Sequence, residues 1–188
     1  MCMVSNVRIL IPEFEIRRRV HELADAIVGD YRSHGVDEIE VVQLLEGAAI
    51  FASDLMRAIY RASDRLRMQI QSMKASSYNG IESSGEVRVS LDIQKPIEGK
   101  HVLVVEDIVD TGLTLDRILA SLKGHRPASL QVCTLLNKPE RRRAEVPVDY
   151  IGFSIPDEFA IGYGLDCAGK FRELPYIGVF QQQPEMGK

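Results

Sequence analysis

Residues 102–115 read VLVVEDIVDTGLTL, an apolar run followed by acids and a glycine-containing turn. The run at 102–105 is short and rich in β-branched side chains, which is typical of a strand buried on both faces of a parallel sheet. From about Thr114, apolar side chains recur with helical spacing until Gly124. A buried strand that leads into a helix in this way predicts an α/β fold with a mainly parallel sheet.

The same alternation of strands and helices extends along the chain. Apolar spacing predicts two more helices, over residues 12–34 and directly after Gly47. Other apolar segments predict strands over residues 41–45, 66–72, 87–91, 130–136, 150–155 and 177–180. A chain of 188 residues is long enough for one domain with a sizeable core, so we expect a single domain over 1–188 with a loose polar tail at 181–188.

The composition argues against several classes of protein. Hydrophobic residues make up 45% and charged residues 27%, which is ordinary for a globular protein. The formal net charge of -4 gives no reason to expect binding to nucleic acid or anionic membranes. The three cysteines show neither zinc-ligand spacing nor a disulfide framework, which favours a reducing compartment. We therefore expect a cytoplasmic protein with no nucleic-acid or membrane partner.

The polar part of the 102–115 stretch predicts a ligand site. Ligands of parallel sheets lie beyond the carboxyl ends of the strands, where adjacent acids such as Glu106 and Asp107 can hold a ribose diol or hydrated magnesium. The following turn offers backbone N–H groups and hydroxyls at a helix N-terminus, which suits an anion. Gly112 lets the backbone close around a phosphate. Each residue alone is more often a solvated group or a helix cap, so the interpretation depends on their order.

This run resembles the phosphoribosyl pyrophosphate signature of the type I phosphoribosyltransferases, and residues 9–180 resemble the hypoxanthine-guanine branch of that family. Four further segments match in order: LEGA at 45–48, SSY at 76–78 with SSGE at 83–86, Lys138, and FSIPDEFAIGYGLDCAGKFREL at 153–174. The resemblance implies a mainly parallel sheet flanked by helices, with a small hood built from the chain ends. It also implies a mobile lid over residues 74–86.

The resemblance implies roles for the residues at the donor end of the site. Glu106 and Asp107 would bind the ribose hydroxyls, directly or through magnesium, and Asp110 would be the general base near the purine N7. The 5′-phosphate would be held by Asp110, Thr111, Gly112, Leu113 and Thr114. The pyrophosphate would be bound by Glu46, Gly47 and Arg172, and the lid would include Ser77 and Tyr78.

The resemblance also implies roles at the base end. Lys138 would donate to the purine O6, which would select against the amine of adenine. Phe159 would stack on the base, although aromatic residues are commonly core. The backbone of Ala160 would read the Watson–Crick edge, and Asp166 would ligate a second magnesium.

The activity implied is transfer of a phosphoribosyl group from phosphoribosyl pyrophosphate to hypoxanthine, guanine or both, with magnesium, in a homodimer or homotetramer. Two alternatives remain open. One is a regulator of the same fold that senses phosphoribosyl pyrophosphate and binds RNA or DNA, for which a basic face is expected. The other is a phosphoribosyltransferase acting on xanthine or a pyrimidine. Lys138 and Phe159 favour a 6-oxopurine but do not separate hypoxanthine, guanine and xanthine.

Two positions depart from the family pattern. Glu46 stands where the pyrophosphate loop usually carries lysine or arginine, and Leu113 stands where the phosphate turn commonly has a basic residue. Because a carboxylate beside pyrophosphate brings like charges together, we expect Glu46 to turn away and make a subunit contact. We also expect the arginine cluster at 141–143 to be a solvated loop or a subunit contact.

Overall fold

The computed structural model describes residues 7–77 and 87–180, which form three α-helices and nine strands. The helices are α1 (Glu13–Ser33), α2 (Ala48–Ala62) and α3 (Leu113–Gly124). The strands are β1 (Val7–Ile11), β2 (Glu38–Leu44), β3 (Arg67–Ser77), β4 (Val87–Leu91), β5 (His101–Val109), β6 (Ser129–Asn137), β7 (Tyr150–Ser154), β8 (Ala160–Ile161) and β9 (Ile177–Phe180).

Six strands form the central sheet, in the order β4-β3-β2-β5-β6-β7. Strands β3, β2, β5, β6 and β7 run parallel, and β4 lies antiparallel to β3 at one edge. The parallel sheet predicted from the sequence is confirmed. Its topology brings the carboxyl ends of β2, β5 and β6 to one edge, so the loops that follow these strands meet there.

The central sheet is buried on both faces. Leu103 and Val105 of β5 pack with α1 and α2, whereas the alternating Val102 and Val104 pack on the other side with α3. Burying one such side chain contributes roughly 1.5–3 kcal/mol, so this strand anchors both halves of the core. The double burial explains why residues 102–105 are continuously apolar.

A second, three-stranded sheet of order β1-β9-β8 joins the two ends of the described chain. All its pairs are antiparallel, with Ile9 opposite Gly178 and Ala160 opposite Val179. This sheet is the small hood implied by the resemblance. Residues 74–77 of the expected lid form the end of β3, whereas residues 78–86 lie outside the described residues, as does the tail at 181–188.

The structure changes several expected boundaries. Strand β5 continues to Val109, because Glu106 and Ile108 still pair with Thr134 and Leu136 of β6, so the acid pair lies within the strand and not after it. The two-residue β8 and a short 3-10 turn at Pro139–Arg141 were not predicted. Both are too short to leave a periodic pattern in the sequence.

Two further expectations concern membranes and cysteines. Among the described residues, none of the helices has the length and apolar character needed to cross a membrane. Cys133 is free and fully buried, as expected for a thiol in an apolar run. Cys167 is disulfide-bonded, which the spacing of the cysteines did not predict.

Candidate active site

The acid pair lies at the carboxyl end of β5. Asp107 is only 9% exposed, and its Oδ1 accepts a hydrogen bond of 2.8 Å from the backbone N–H of Ile108. Burial raises the pKa of the Glu106 carboxyl well above its ordinary value, and the neighbouring charge of Asp107 raises it further. A cation at this pair would relieve the crowding of negative charge.

The loop after β2 packs directly against this pair. Leu45 donates its N–H to the carbonyl of Met73 at 2.8 Å, which fixes the loop beside β3. A Cβ atom at Gly47 would lie 1.6 Å from Oδ2 of Asp107, so only glycine fits there. Gly164, with φ of +105°, also packs on this loop, since a Cβ there would lie 2.1 Å from the carbonyl oxygen of Gly47. Three segments distant in sequence therefore converge.

The turn between β5 and α3 forms a small cavity of about 170 Å³, lined by residues 106–112, 114 and 115. Gly112 caps α3 with φ of +82°, and a Cβ there would lie 2.7 Å from the carbonyl oxygen of Ala144. The N–H groups of the first turn of α3 have no partner within the helix, and with the helix dipole they make this end of α3 suitable for an anion. Leu113, where the family commonly has a basic residue, is exposed. The turn therefore offers backbone N–H donors but lacks the positive side chain that is common at this position.

Asp110 and Lys138 belong to a network of four charged side chains. Lys138 is only 6% exposed, and its Nζ lies 4.0 Å from Oδ2 of Asp110 and 3.5 Å from Oδ1 of Asp157. Arg141 donates to the same two carboxylates, through Nε to Asp110 at 3.0 Å and through Nη1 to Asp157 at 3.1 Å. Lys138 is therefore not a solvated lysine at a strand end.

The arginine cluster at 141–143 makes contacts that its sequence did not predict. Besides the two ion pairs of Arg141, Arg142 donates from Nη1 to the backbone oxygen of Asp110 at 3.2 Å and from Nη2 to the side chain of Asn137. Arg143 donates its N–H to the carbonyl of Thr111 at 2.9 Å. Arg141 and Arg143 are exposed, as expected for a solvated loop, but the contacts of this cluster also hold the Asp110 turn in place.

A second charged cluster lies at the loop after β2. Arg172 Nη2 contacts Asp166 Oδ1 at 2.7 Å and Glu46 Oε2 at 3.6 Å. The other Glu46 oxygen, Oε1, accepts a hydrogen bond of 2.7 Å from Lys74 Nζ. That hydrogen bond, with the charges of Lys74 and Arg172, lowers the pKa of the Glu46 carboxyl. Glu46 therefore bonds to Lys74 and contacts Arg172 within this chain, and the expected subunit contact of Glu46 stays a prediction.

Two aromatic residues lie at the hood, Phe159 directly before β8 and Phe180 at the end of β9. Phe159 is 59% exposed and stacks on Phe180, with ring centroids 6.3 Å apart and an angle of 28° between the planes. Phe159 is therefore not a core residue, and one face remains available to a planar ligand. Ala160 follows in β8 and is buried.

The family of this chain follows from its similarity to known proteins. Residues 14–168 match the model of the phosphoribosyl transferase domain. The chain belongs to the phosphoribosyltransferase family. Among its relatives, the hypoxanthine phosphoribosyltransferase of Haemophilus influenzae is 45% identical over 174 residues, covering 92% of this chain and 94% of the relative. The hypoxanthine-guanine phosphoribosyltransferase of Dictyostelium discoideum is 42% identical, covering 93% and 96%.

Solved structures of the same family superpose closely on this chain. A hypoxanthine phosphoribosyltransferase of Trypanosoma cruzi gives a TM-score of 0.86 at 41% identity, covering 93% of this chain and 91% of the other. A hypoxanthine-guanine phosphoribosyltransferase of Bacillus anthracis gives 0.84 at 43% identity, covering 93% and 98%. The fold named from the sequence, that of the type I phosphoribosyltransferases, is confirmed.

Sequence reasoning missed three residues of the candidate site. Asp157 lay within the matching stretch at 153–174 but received no role, although it contacts Lys138 and Arg141. Arg141 was set aside as part of a charge run. Lys74 was read only as the first residue of a lid, although its Nζ bonds to Glu46. None carries a local signal, because each acts through a contact with a distant segment.

Proposed function

We infer that this chain is a purine salvage enzyme that transfers the 5-phosphoribosyl group of phosphoribosyl pyrophosphate to hypoxanthine or guanine, giving IMP or GMP and pyrophosphate. The observation that carries this inference is the pairing of Asp110 and Lys138, 4.0 Å apart, beside the phosphate-sized turn of α3. A proton acceptor next to a buried cation matches N7 and O6, which lie side by side on one edge of a 6-oxopurine. The similarity of named relatives along nearly the whole chain supports the same reaction.

The donor binds across the carboxyl end of β5 in this proposal. Glu106 and Asp107 hold the ribose hydroxyls. The 5′-phosphate lies in the turn, held by the backbone and hydroxyl groups of Asp110, Thr111, Gly112, Leu113 and Thr114. Support comes from the small cavity at the N-terminus of α3, where N–H groups and the helix dipole favour an anion.

The pyrophosphate lies between two parts of the chain in this proposal. One is the loop at Glu46 and Gly47, and the other is the guanidinium group of Arg172. Support comes from the close packing of Gly47 on Asp107, which joins this loop to the ribose-binding acids. The lid residues Ser77 and Tyr78 would cover this end, so that water is excluded from a charged transition state. Their lid role is a prediction from the resemblance alone.

The base binds between Phe159, which stacks on it, and Lys138, which donates to O6. The backbone of Ala160 reads the Watson–Crick edge. The exposed face of Phe159 and the burial of Lys138 support these roles. An ammonium group donates to an oxo group and meets the amine of adenine unfavourably, so the site selects 6-oxopurines.

Magnesium fits the acids that are present. Glu106 and Asp107 supply adjacent oxygens, and a cation bound there would offset the burial and the neighbouring negative charge that raise the pKa of Glu106. Magnesium is commonly held by one or two carboxylates together with substrate phosphates, so a larger protein cage is not required. Asp166, already bonded to Arg172, would hold a second ion at the pyrophosphate end. When bound, magnesium neutralises charge on the departing pyrophosphate.

The chemistry then depends mainly on position. The purine nitrogen attacks C1 of the ribose as the bond to pyrophosphate breaks, through an oxocarbenium-like state. Asp110 accepts the proton from N7 as the base becomes nucleophilic, a general-base step. Arg172 stabilises the negative charge that grows on the leaving group. Holding both substrates in line supplies much of the rate without a covalent intermediate.

One experiment tests the function directly. Pyrophosphate release is measured with phosphoribosyl pyrophosphate, magnesium and a panel of free bases: hypoxanthine, guanine, xanthine, adenine and uracil. We expect turnover with hypoxanthine or guanine and little with adenine or uracil. Activity with uracil alone, or with none of the bases, would overturn the proposal. A homodimer or homotetramer and a cytoplasmic location remain predictions from the resemblance and the sequence.

A further inference from the structure

Lys74 lies beside the pyrophosphate loop on a neighbouring strand. The parallel pairing of Leu44 with Met73, and the 2.8 Å hydrogen bond from Leu45 N–H to the carbonyl of Met73, fix the end of β3 against this loop. The Lys74 side chain extends along it, so that Nζ reaches the Glu46 carboxylate at 2.7 Å. The pairing of β2 with β3 therefore places Lys74 within reach of Glu46.

Glu46 divides its two oxygens between two cations. Oε1 accepts from Lys74, and Oε2 lies 3.6 Å from Arg172, the arginine proposed to meet the pyrophosphate. The carboxylate thus keeps an ammonium and a guanidinium close together at the pyrophosphate end. This arrangement resembles a small anion site whose occupant is a side chain of the protein itself.

Folding stability does not explain the pair. The side chains of Lys74 and Glu46 are 42% and 58% exposed, and ion pairs this exposed contribute little to stability. A pyrophosphate carries more negative charge than a carboxylate and offers more acceptor oxygens to each cation. A bound pyrophosphate would therefore compete with Glu46 for both cations.

We propose that Lys74 is a pyrophosphate-binding residue, which supplies from β3 the positive charge that the loop lacks at Glu46. Before the donor binds, Glu46 holds Lys74 and Arg172 at the site and screens their mutual repulsion. On binding, the pyrophosphate takes the place of the carboxylate. This inference rests on the proposed function, because it names a further residue for the same pyrophosphate subsite.

The first test compares Lys74→Gln with a matched control, Lys123→Gln, an exposed lysine in the last turn of α3. Binding of magnesium pyrophosphate is measured by calorimetry, and the Michaelis constants of donor and base are measured separately. We expect Lys74→Gln to weaken pyrophosphate binding and raise the donor constant by about tenfold, as loss of one charge-assisted hydrogen bond does. The Michaelis constant for the base should not change in Lys74→Gln, and the control variant should match the parent in every measurement. Lys74→Arg should retain most of the affinity for pyrophosphate.

The second test uses Glu46→Gln, which should change affinity in the opposite direction. Freed from the carboxylate, both cations meet the pyrophosphate without competition, so we expect binding a few-fold tighter at low ionic strength and a smaller gain at high salt. If Glu46→Gln weakens binding as much as Lys74→Gln does, the pair acts only as a structural unit and Lys74 does not contact the ligand. Thermal midpoints of both variants show whether either has lost its fold.

The outcomes separate this inference from the proposed function. The inference alone is overturned if the parent protein forms IMP but Lys74→Gln has no effect. No effect means that the pyrophosphate affinity and the donor Michaelis constant of the variant stay within twofold of the parent values. A parent that binds magnesium pyrophosphate through Lys74 but transfers to no purine overturns the proposed function alone. A parent that neither binds pyrophosphate nor forms IMP overturns both.

Discussion

Gly47 and Asp107 are in such close contact that a Cβ atom at position 47 would lie 1.6 Å from Oδ2 of Asp107. Asp107 is nearly buried, and its other oxygen accepts a hydrogen bond from Ile108, so it has little freedom to move aside. The loop proposed to bind pyrophosphate and the acids proposed to bind the ribose are thus a single packed unit, although 60 residues of sequence separate 47 from 107. Any change at Gly47 is expected to reach both parts of the donor site.

Gly47→Ala should therefore impair donor binding more than base binding. The added methyl group displaces either the loop or Asp107, and we expect the donor Michaelis constant to rise more than tenfold, or about 1.4 kcal/mol. Gly29→Ala in the exposed part of α1 is the matched control, because nothing lies within 4 Å of its Cβ. That variant should be stabilised by roughly 0.5–1 kcal/mol with unchanged kinetics. Normal donor kinetics in Gly47→Ala would show that this contact is not needed.

Asp110→Asn should lower turnover and leave substrate binding largely intact. Asparagine keeps the size of the side chain and one oxygen for the 3.0 Å hydrogen bond from Arg141, but it is not a base. Loss of general-base catalysis corresponds to roughly 10²–10⁴-fold in turnover. Steady-state kinetics between pH 6 and 9 measure this, with Asp116→Asn in the first turn of α3 as control. Unchanged turnover across that range would remove Asp110 from the mechanism.

The raised pKa of Glu106 predicts a pH-dependent stability. The folded protein binds the Glu106 proton more strongly than the unfolded chain does. The contribution of this group to the free energy of unfolding is therefore present below the ordinary carboxyl pKa and is lost as pH rises through the raised value. Glu106→Gln should remove this dependence and raise the thermal midpoint at neutral pH by roughly 2–4 °C, the shift given by about 1 kcal/mol in a chain of this size.

Thermal unfolding in a chelator, at several pH values between 5 and 8, measures the effect as the difference between parent and variant. Glu98→Gln is the control, because Glu98 is exposed and pairs only with exposed Arg126 among the residues that the structure describes. Adding magnesium and pyrophosphate should reduce the difference in thermal midpoint between parent and variant, because their binding stabilises the parent with Glu106 ionised. A constant difference between parent and Glu106→Gln at all pH values would show that the Glu106 carboxyl titrates normally.

The sequence predicted the sheet well because its signal is local. Residues 102–105 are apolar on both faces, and this alone indicates a central parallel strand. The helices are equally well marked, and α1 differs from its expected bounds by one residue at each end. The end of β5 was not predicted, because Glu106 and Asp107 look like loop residues until their pairing with β6 is known.

The site was less predictable where charges meet across segments. The environments of Arg141, Asp157 and Lys74 depend on partners 16–31 residues away. Local patterns predict neither those partners nor the direction of a long side chain. The contacts of Glu46 were not predicted for this reason: repulsion from pyrophosphate was considered, whereas attraction to Lys74 and Arg172 requires knowledge of the fold.

Lys138→Gln should relax the preference for 6-oxopurines. Lys138 is buried between Asp110 and Asp157, but Arg141 bonds to both carboxylates at 3.0 and 3.1 Å, so the network keeps one cation when the lysine is lost. The loss of a charged donor to O6 should lower kcat/KM for hypoxanthine by about 10–100-fold, or about 1.5–3 kcal/mol. A glutamine amide also accepts a hydrogen bond, so discrimination against adenine should weaken, while the donor Michaelis constant changes only a few-fold. Competition assays with both bases, using Lys123→Gln as control, measure the ratio. If the variant binds hypoxanthine and guanine as the parent does, Lys138 takes no part in choosing the base.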